Sequence, residues 1–510
     1  MGVQGFTPFL QKFFPDVLKL FPNRLEALRG KTIVIDGTLI TQRFHYIENE
    51  SPHQHVARWY NLARQLRKYE VNTICVFDGK QRNEAKANEA QRRRKAMELA
   101  RTRGSLEEER FQRLHSLSES LLQLRDAAAQ TRSEIGQALK ASTDDTSSQV
   151  LLDQKVDELR EISAQTTEEV AAPQEEAKQD TPLTPIPEAA APEKAEMNIA
   201  QLAEQLNLLH LNYKATTAKL ASIPALQDGV SAIPGETTQT MTKTQYQLTC
   251  EEGKLWEYVA NAQNSLLSGG SDVTQQELDS MLNRSYAMTT SFRRRNNTPT
   301  STTYSESKEI LGAMGILCID ATGAVEGEAL ASSIVLSGHA DYVATEDTDV
   351  LAYGAPMIRN LTGYEDPLLV ISGTEVRETL ELDQSAYLDF VLLLGTDFSQ
   401  RIKNLGPVKA LSLIKEHKSI EGVLDSIANQ PRYTLKLPRD AYLAQVNIAR
   451  EVFRTLPPPP SPESLQKLEA DDDLAKEILA KYAVERYAID DIAESEALAG
   501  NLFSDNPAAG

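Results

Sequence analysis

The sequence predicts an α/β fold, in which helices cover both faces of a parallel, twisted sheet. Two β-branched runs that end at Asp-Gly, with an amphipathic stretch between them, carry this prediction. The runs are residues 31–36 (KTIVID) and 71–78 (VNTICVFD), and residues 56–69 place apolar side chains at helical spacing. A strand, a helix and a strand in this order favour a parallel pair whose faces are covered.

The same pattern resumes after a long insertion. Strands are expected at residues 315–320 (GILCID), 341–345 (DYVAT) and 368–372 (LLVIS), and a helix at residues 326–338. Neither half would close a core alone, so we expect residues 1–100 and 305–395 to share one sheet. An interruption of about 200 residues is tolerable because the entropy of loop closure grows only logarithmically with length.

These patterns divide the chain into five expected segments. They are residues 1–104 and 301–395, the two halves of the sheet domain; 105–300, a helical and partly disordered insertion; 396–456, a helical region around Gly406-Pro407; and 457–510, an acidic tail. Within the insertion, residues 141–196 hold 4 basic and 14 acidic side chains and no aromatic residue. Such a composition cannot bury enough apolar surface to offset chain entropy, so it predicts disorder.

Charge is unevenly distributed along the 510 residues. The net charge is −20, yet residues 1–104 carry 19 Lys and Arg against 10 Asp and Glu, a local excess of +9. Screening limits the reach of exposed charges to about 10 Å. A basic face in this first segment can therefore bind phosphates despite the acidic total.

Cysteine and apolar patterns bear on the compartment. Three distant cysteines without a CxxC pair predict neither a disulfide framework nor a cysteine zinc site, and favour a reducing compartment. No apolar run approaches the roughly 20 residues of a membrane span, and the start resembles neither a signal peptide nor a transit helix. We therefore expect a soluble, intracellular protein with no membrane partner.

Acidic residues stand where open parallel sheets place their reactive groups, just beyond the carboxyl ends of strands. Asp36, Asp78, Asp347, Asp349 and Asp397 are expected at such positions, and Glu326 and Glu328 at the entry to the helix after residues 315–325. Each alone is more often a turn residue or a helix cap. Together, without matching cations, they would repel one another, so the set favours a site for hard divalent cations such as Mg²⁺ or Mn²⁺.

Several motifs carry a family resemblance. They are residues 1–6 (MGVQGF), 34–37 (VIDG), 76–79 (VFDG), 325–329 (VEGEA), 344–356 (ATEDTDVLAYGAP) and 392–411 (LLLGTDFSQRIKNLGPVKAL). The chain resembles the flap endonuclease and XPG family of structure-specific 5′ nucleases over roughly residues 1–104 and 305–425. The resemblance implies a PIN-like nuclease fold, with XPG-N-like and XPG-I-like halves at 1–104 and 301–395 and a helix-two-turn-helix module at 396–456.

The resemblance also implies the ligands and the reaction. Asp36, Asp78, Glu326 and Glu328 would hold one Mg²⁺ ion, and Asp347, Asp349 and Asp397, with Glu328, a second. The implied function is two-metal hydrolysis of phosphodiester bonds in flap or branched DNA near single-strand to duplex junctions, in nuclear DNA repair or replication. The open alternatives are a 5′→3′ exonuclease, an RNA-processing nuclease, a non-catalytic RNA regulator or scaffold, and a mitochondrial location.

Basic residues extend the resemblance to nucleic-acid contacts. Lys86 and Arg93, seven residues apart on one helix face, would hold the scissile phosphate, unless they belong to a solvated basic face. The helix-two-turn-helix would follow the duplex backbone and bind K⁺, with an ordinary helix hairpin as the alternative. The expected DNA-contacting residues are Gly2, Arg401, Lys403, Gly406 and Lys409.

Three departures from the family pattern stand out. The stacking tyrosine usual six residues after the first Asp is replaced by Gln42, with Phe44 and Tyr46 nearby. The insertion is longer than a flap endonuclease arch, and the protein partner of its acidic part is open. Residues 501–503 (NLF) are a poor substitute for a sliding-clamp motif, so no clamp partner is expected.

Overall fold

A computed structural model describes residues 2–47, 51–79, 81, 84–126, 199–222, 243–261, 271–363 and 366–488. The chain divides into two compact units. We call Met1–Arg94 with Asn297–Gly510 the sheet unit, and Lys95–Asn296 the helical unit. The segment expected to be disordered, residues 141–196, lies outside the described residues.

Helices and strands of the sheet unit alternate as the sequence predicts. In chain order they are α1 (Phe6–Phe13), β1 (Leu18–Phe21), β2 (Thr32–Asp36), α2 (Gly37–Tyr46), α3 (Gln54–Lys68), β3 (Asn72–Phe77), and the start of α4 (Ala87–Asp126). After the insertion come α8 (Ser301–Ala313), β4 (Leu317–Asp320), α9 (Gly327–Leu336), β5 (Tyr342–Ala344), α10 (Asp349–Ala352), β6 (Pro356–Arg359), β7 (Leu368–Ser372), α11 (Gly373–Thr379), α12 (Gln384–Leu394), α13 (Pro407–His417), α14 (Ile420–Ile427), α15 (Arg439–Arg454) and α16 (Asp472–Lys481).

The described strands form one seven-stranded sheet in the order β1-β7-β6-β5-β2-β3-β4. Strands β6, β5, β2, β3 and β4 run parallel, which confirms the predicted α/β fold and its shared sheet. One edge differs, because β7 is antiparallel to both β6 and β1. The connection from β6 to β7, residues 360–367, is too short for a crossover helix, so the chain returns as a hairpin.

Alternating side chains of the strands feed a separate core on each face of the sheet. On β3, Ile74 and Val76 join the core beneath α1, α9 and α12, whereas Cys75 and Phe77 join the core beneath α2, α3 and α8. The two-residue period of a strand produces this division. The parallel strands are thus buried on both faces, and their carboxyl ends form the edge where the candidate site lies.

The segment expected to be an acidic tail is an integral part of the sheet unit up to residue 488. The Ser333 hydroxyl donates to the Pro457 carbonyl at 2.6 Å, and the Asp471 N–H donates to the Ala313 carbonyl at 2.8 Å. Helix α16 then buries Ile478 and Leu479 in the core that it shares with α3 and α8. Residues 489–510, including residues 501–503, lie outside the described residues.

The helical unit contains the rest of α4 with α5 (Ile199–Ser222), α6 (Lys243–Asn261) and α7 (Ser271–Asn296). Leu114, Leu206 and Leu248 contribute to its apolar core. Within it, Arg113 donates to Glu252 through Nε at 2.6 Å and Nη2 at 3.0 Å. None of the helices in the described part of the chain is long and apolar enough to cross a membrane.

Candidate metal and nucleic-acid site

Two strand ends place the first carboxylates. Asp36 is the last residue of β2 and caps α2, because its Oδ1 accepts the Leu39 N–H at 2.9 Å. Asp78 follows β3, and its Oδ1 accepts the N–H of Gly327, the first residue of α9, at 2.8 Å. Asp78 therefore lies at the start of the helix that carries Glu328, the next residue after Gly327.

Thr345 connects the carboxylates of β2 with those that follow β5. Its hydroxyl donates to Asp36 Oδ2 and accepts the Asp347 N–H, each at 3.0 Å. Asp347 Oδ1 in turn accepts the Asp349 N–H at 3.0 Å. Sequence analysis missed Thr345, although its position two residues before Asp347 in an Asp-rich turn is a typical place for such a hydroxyl.

Basic side chains from the segment after β3 reach the remaining carboxylates. Lys86 Nζ lies 2.8 Å from Glu326 Oε1 and 3.4 Å from Asp397 Oδ2. Arg93 Nη2 lies 2.7 Å from the same Asp397 oxygen. The structure therefore brings both expected phosphate-binding residues to the expected metal ligands.

Burial and mutual repulsion raise the pKa values of most of these acids. Burial, with repulsion from Asp78, raises the pKa of Asp36 to about 7. Loss of solvation, with repulsion from Asp347, raises the pKa values of Glu328 and Asp349 well above those of ordinary carboxyls. Glu326 and Asp347 also have raised pKa values, again chiefly through loss of solvation. The carboxylates therefore lie close enough to oppose one another's ionisation.

Basic neighbours reverse this trend locally. Burial would raise the pKa of Asp397, but Lys86 and Arg93 outweigh it and lower that pKa. Burial likewise opposes the charge on Lys86, yet Glu328, Glu326 and Asp397 raise its pKa above that of an ordinary lysine. Lys86 therefore remains a cation within the cluster of acids.

The donor set fits a hard divalent cation. Asp349 Oδ1 is buried and has no hydrogen-bond partner, although an unpaired buried carboxylate oxygen is costly. All seven expected ligands offer carboxylate oxygens, the donors that Mg²⁺ and Mn²⁺ prefer. As the side chains stand, however, no three His, Cys, Asp or Glu residues of the described part are arranged to hold one ion. Lys86 Nζ instead lies against Glu326 and Asp397.

Gly2 lies beside these acids. Its φ of +85° favours glycine, and a Cβ added there would collide with Asp347 Oδ1. The Gln4 N–H donates to the Gly395 carbonyl at 3.0 Å, and Gly5 lies opposite Pro407. The amino-terminal segment thus extends from the carboxylates to the region of the expected helix-two-turn-helix.

The expected DNA contacts of that region are accessible. Gly406 is the N-cap of α13, and Arg401, Lys403 and Lys409 are exposed. The backbone of Lys403 is fixed, because its N–H donates to the Thr434 carbonyl at 2.9 Å. These DNA contacts and the K⁺ site stay predictions.

Phe44, one of the two aromatic residues near Gln42, is not free to stack on a base. Gln42 Nε2 donates to the Tyr304 hydroxyl at 3.0 Å. Phe44 is buried against Trp59, with the two ring centroids 5.3 Å apart. Phe44 therefore cannot take the place of the family's stacking tyrosine without leaving the core.

Comparison with known domains finds two matches. Residues 1–100 match the XPG N-terminal domain, and residues 315–397 match the XPG I-region. The chain carries both XPG domains. Flap endonuclease 1 of Komagataella phaffii is 34% identical to this chain over 209 residues, or 38% of this chain and 55% of that protein. The match thus spans about half the length of the flap endonuclease.

Other similar proteins match more of the chain at lower identity. An uncharacterised protein of Schizosaccharomyces pombe is 26% identical over 471 residues, 90% of this chain and 87% of its own. The catalytic core of Rad2 in complex with a DNA substrate covers 96% of this chain and 98% of its own at 12% identity, with a TM-score of 0.45. Flap endonuclease-1 from Methanococcus jannaschii covers 96% of each chain at 15% identity, with a TM-score of 0.43. The relation of this chain to the XPG family rests on the two domain matches.

Proposed function

We propose that this chain belongs to the XPG/flap endonuclease family and is a Mg²⁺-dependent, structure-specific nuclease that cuts flap or branched DNA near single-strand to duplex junctions. The observation that carries the proposal is the cluster of mutually repelling carboxylates at the carboxyl edge of the sheet, with Asp349 Oδ1 buried and unpartnered. Mutual repulsion of these carboxylates lowers the stability of the fold, and the binding of divalent cations offsets that loss.

Asp36, Asp78, Glu326 and Glu328 would hold one ion, and Asp347, Asp349 and Asp397, with Glu328, the other. Two such ions, when bound, would supply a nucleophilic hydroxide and neutralise charge on the attacking and leaving oxygens.

Lys86 and Arg93 would orient the scissile phosphate. Both side chains contact Asp397, and Lys86 also contacts Glu326. Their N–H donors would bind phosphate oxygens beside these carboxylates. Thr345 would hold Asp36 in position for its ion.

Substrate choice would come from the shape of the DNA. The exposed Arg401, Lys403 and Lys409 surround the start of α13, where backbone N–H groups favour an anion. Contacts of this kind follow phosphates without reading bases. They fit a role in nuclear DNA repair or replication, with K⁺ bound at the helix-two-turn-helix.

The test uses the full chain on labelled flap, nicked, bubble and four-way DNA, and on RNA versions, with Mg²⁺ or EDTA. We expect Mg²⁺-dependent cleavage of the DNA flap, and a loss of roughly 10²–10³-fold in Asp349→Asn with DNA binding retained. A flap whose 5′ end is blocked distinguishes threading from bubble cutting.

The matched control is Asp320→Asn. Asp320 also ends a strand of the sheet, but it is exposed and pairs with Lys308. The control should cleave like the parent. Parent-like cleavage by Asp349→Asn would refute the proposal. A parent that binds flap DNA but cuts nothing in Mg²⁺ or Mn²⁺ would establish the scaffold alternative instead.

A further inference from the structure

Two cysteines lie opposite one another on neighbouring strands. Cys75 of β3 and Cys318 of β4 are register partners in the parallel pair. Both belong to the face of the sheet beneath α2, α3 and α8. Both are free thiols, and the Cys318 thiol is close enough to Cys75 to raise its pKa. The sequence, which separates them by 243 positions, gives no sign of this pairing.

The strand geometry is close to what a disulfide needs. Adjacent strands lie about 4.8 Å apart, within the roughly 4.4–6.8 Å between Cα atoms across a disulfide. In a parallel pair the facing Cβ atoms are separated by about this strand spacing of 4.8 Å, whereas a disulfide needs about 3.5–4.5 Å. Bond formation would therefore draw β4 towards β3 by up to roughly 1 Å.

The two thiols differ in access. Cys318 is half-buried on the edge strand β4, whereas Cys75 is fully buried on β3. Burial, together with the Cys318 thiol, raises the pKa of the Cys75 thiol well above its ordinary value. An oxidant from solvent therefore meets Cys318 first, and Cys75 is the slower, resolving partner.

We propose that Cys75 and Cys318 form a reversible oxidation site that closes to a disulfide with a peroxide oxidant. Hydrogen peroxide transfers one oxygen to the Cys318 sulfur, which becomes a sulfenic acid as one water leaves. The Cys75 sulfur then attacks the Cys318 sulfur, its S–H proton and the departing hydroxide form a second water, and the S–S bond results. Two thiols and one peroxide thus give one disulfide and two waters, and a dithiol reductant reverses the step.

The pair lies directly beneath the candidate site. A Cβ added at Gly37, the residue after Asp36, would lie 2.6 Å from Cys75 Sγ. Asp78 follows Cys75 by three residues, and the Phe77 carbonyl accepts the Ala321 N–H at 2.8 Å just beyond the ends of β3 and β4. Drawing these strands together shifts the backbone that carries Asp36 and Asp78. We therefore expect oxidation to lower cleavage, a consequence that rests on the proposed function.

Thiol mapping tests the site without reference to activity. The full-length Cys250→Ser variant, which lacks the exposed third cysteine, is treated with hydrogen peroxide, denatured and alkylated with N-ethylmaleimide. We expect both thiols to be alkylated before oxidation, neither after it, and a Cys75–Cys318 cross-linked peptide that dithiothreitol removes. Cys250→Ser/Cys318→Ser should form no cross-link within the chain. Two alkylated thiols after oxidation, or a sulfinic acid on Cys318 with Cys75 still free, would overturn the proposal.

Cleavage of flap DNA tests the consequence. Oxidised Cys250→Ser should cut about tenfold more slowly than the reduced protein and recover with dithiothreitol, whereas Cys250→Ser/Cys318→Ser should not respond to peroxide. A cross-link that leaves cleavage unchanged would overturn the link to the active site. If the reduced protein cuts no substrate, the proposed function fails, and the cross-link still decides the oxidation site.

Discussion

Two buried acidic sites of the sheet unit differ in how their charge is balanced. At one, Asp389 accepts from Arg450 Nε at 2.7 Å and Nη2 at 2.6 Å, and from the Ile420 N–H at 3.0 Å. Arg450 also binds Glu421, and these hydrogen bonds lower the pKa of Glu421 to about 2. At the other, in the candidate site, burial and mutual repulsion raise the pKa values of Asp36, Glu328 and Asp349.

The difference shows what each site is built to do. The Asp389 site supplies its own cation with matched hydrogen bonds and ties α12, α14 and α15 together. The candidate site gathers seven carboxylates, contacted by Lys86 and Arg93, so its charge is not balanced within the chain. Local imbalance of this kind is typical of a site that receives a cationic ligand.

Breaking the balanced site should have the largest effect on stability. Asp389→Ala leaves Arg450 partly buried with one carboxylate partner fewer. Breaking a buried ion pair in this way costs about 3–5 kcal/mol. We expect the free energy of unfolding to fall by that amount in urea denaturation, with cleavage per folded molecule unchanged.

The matched control is Arg439→Ala. Arg439 Nη1 lies 2.6 Å from Asp425 Oδ1 in an exposed pair between α15 and α14. Exposed pairs contribute about 0–1 kcal/mol. Equal losses in the two variants would mean that the Asp389 pair is no more structural than a surface contact.

Replacing one acid of the candidate site by a neutral residue should raise the free energy of unfolding, whereas breaking the Asp389 pair lowers it. The folded pKa of Asp36 is raised above its unfolded value, so its favourable contribution is present below about pH 4 and is lost as pH rises through about 7. In Asp36→Asn the side-chain oxygen can still cap α2. The side chain no longer ionises, so the variant does not lose stability in this way as the pH rises. In EDTA we expect the free energy of unfolding of the variant to exceed that of the parent by up to about 4 kcal/mol at about pH 8, and not at about pH 4.

Adding Mg²⁺ gives a second comparison between the parent and Asp36→Asn. Saturating Mg²⁺ should raise the midpoint of thermal unfolding more for the parent than for Asp36→Asn, because the parent keeps the full set of ligands. An Asp36→Asn protein less stable than the parent at about pH 8 in EDTA would contradict the idea of an uncompensated cluster.

Removing the positive charge of Lys86 from the candidate site should have the smallest effect of the three. Lys86→Met keeps the length of the side chain and removes its charge, so we expect cleavage of flap DNA to fall about tenfold, roughly 1.4 kcal/mol in the barrier. Arg67→Ala, which breaks an exposed pair with Asp472, is the control and should cleave normally. Unchanged cleavage in Lys86→Met would mean that Lys86 only balances the charge of Glu326 and Asp397 and does not hold the phosphate.

Much of the fold could be predicted from the sequence. The expected strand at 368–372 matches β7 in its bounds. The expected strand at 31–36 begins one residue before β2, and that at 71–78 extends one residue beyond β3 at each end. These strands are buried on both faces and read as continuous β-branched runs. Strand β1 and helix α16 went unrecognised as parts of the core, because their contacts come from distant segments.

The acidic residues of the candidate site could be predicted from the sequence, but the hydrogen bonds and ion pairs that link its side chains could not. Carboxylates beyond strand ends follow from the order of strands and helices. The expectation was wrong for Asp397, because the apolar run before it belongs to the helix α12 and not to a strand. The hydroxyl of Thr345 and the contact of Lys86 with Glu326 depend on side-chain geometry, which no spacing rule supplies. The Cys75 and Cys318 pair follows from strand order, since β3 and β4 are neighbours although the insertion separates them in sequence.

The segment after Pro457–Pro460 packs back onto the sheet unit through α16. This packing limits how far the chain can be shortened from its carboxyl end. Ala475, Ile478 and Leu479 form part of the apolar floor on which α3 and α8 rest. A protein trimmed at residue 457 for crystallisation would expose that floor to water and to other molecules, and aggregation would follow. A soluble shortened version therefore needs to extend at least to residue 488.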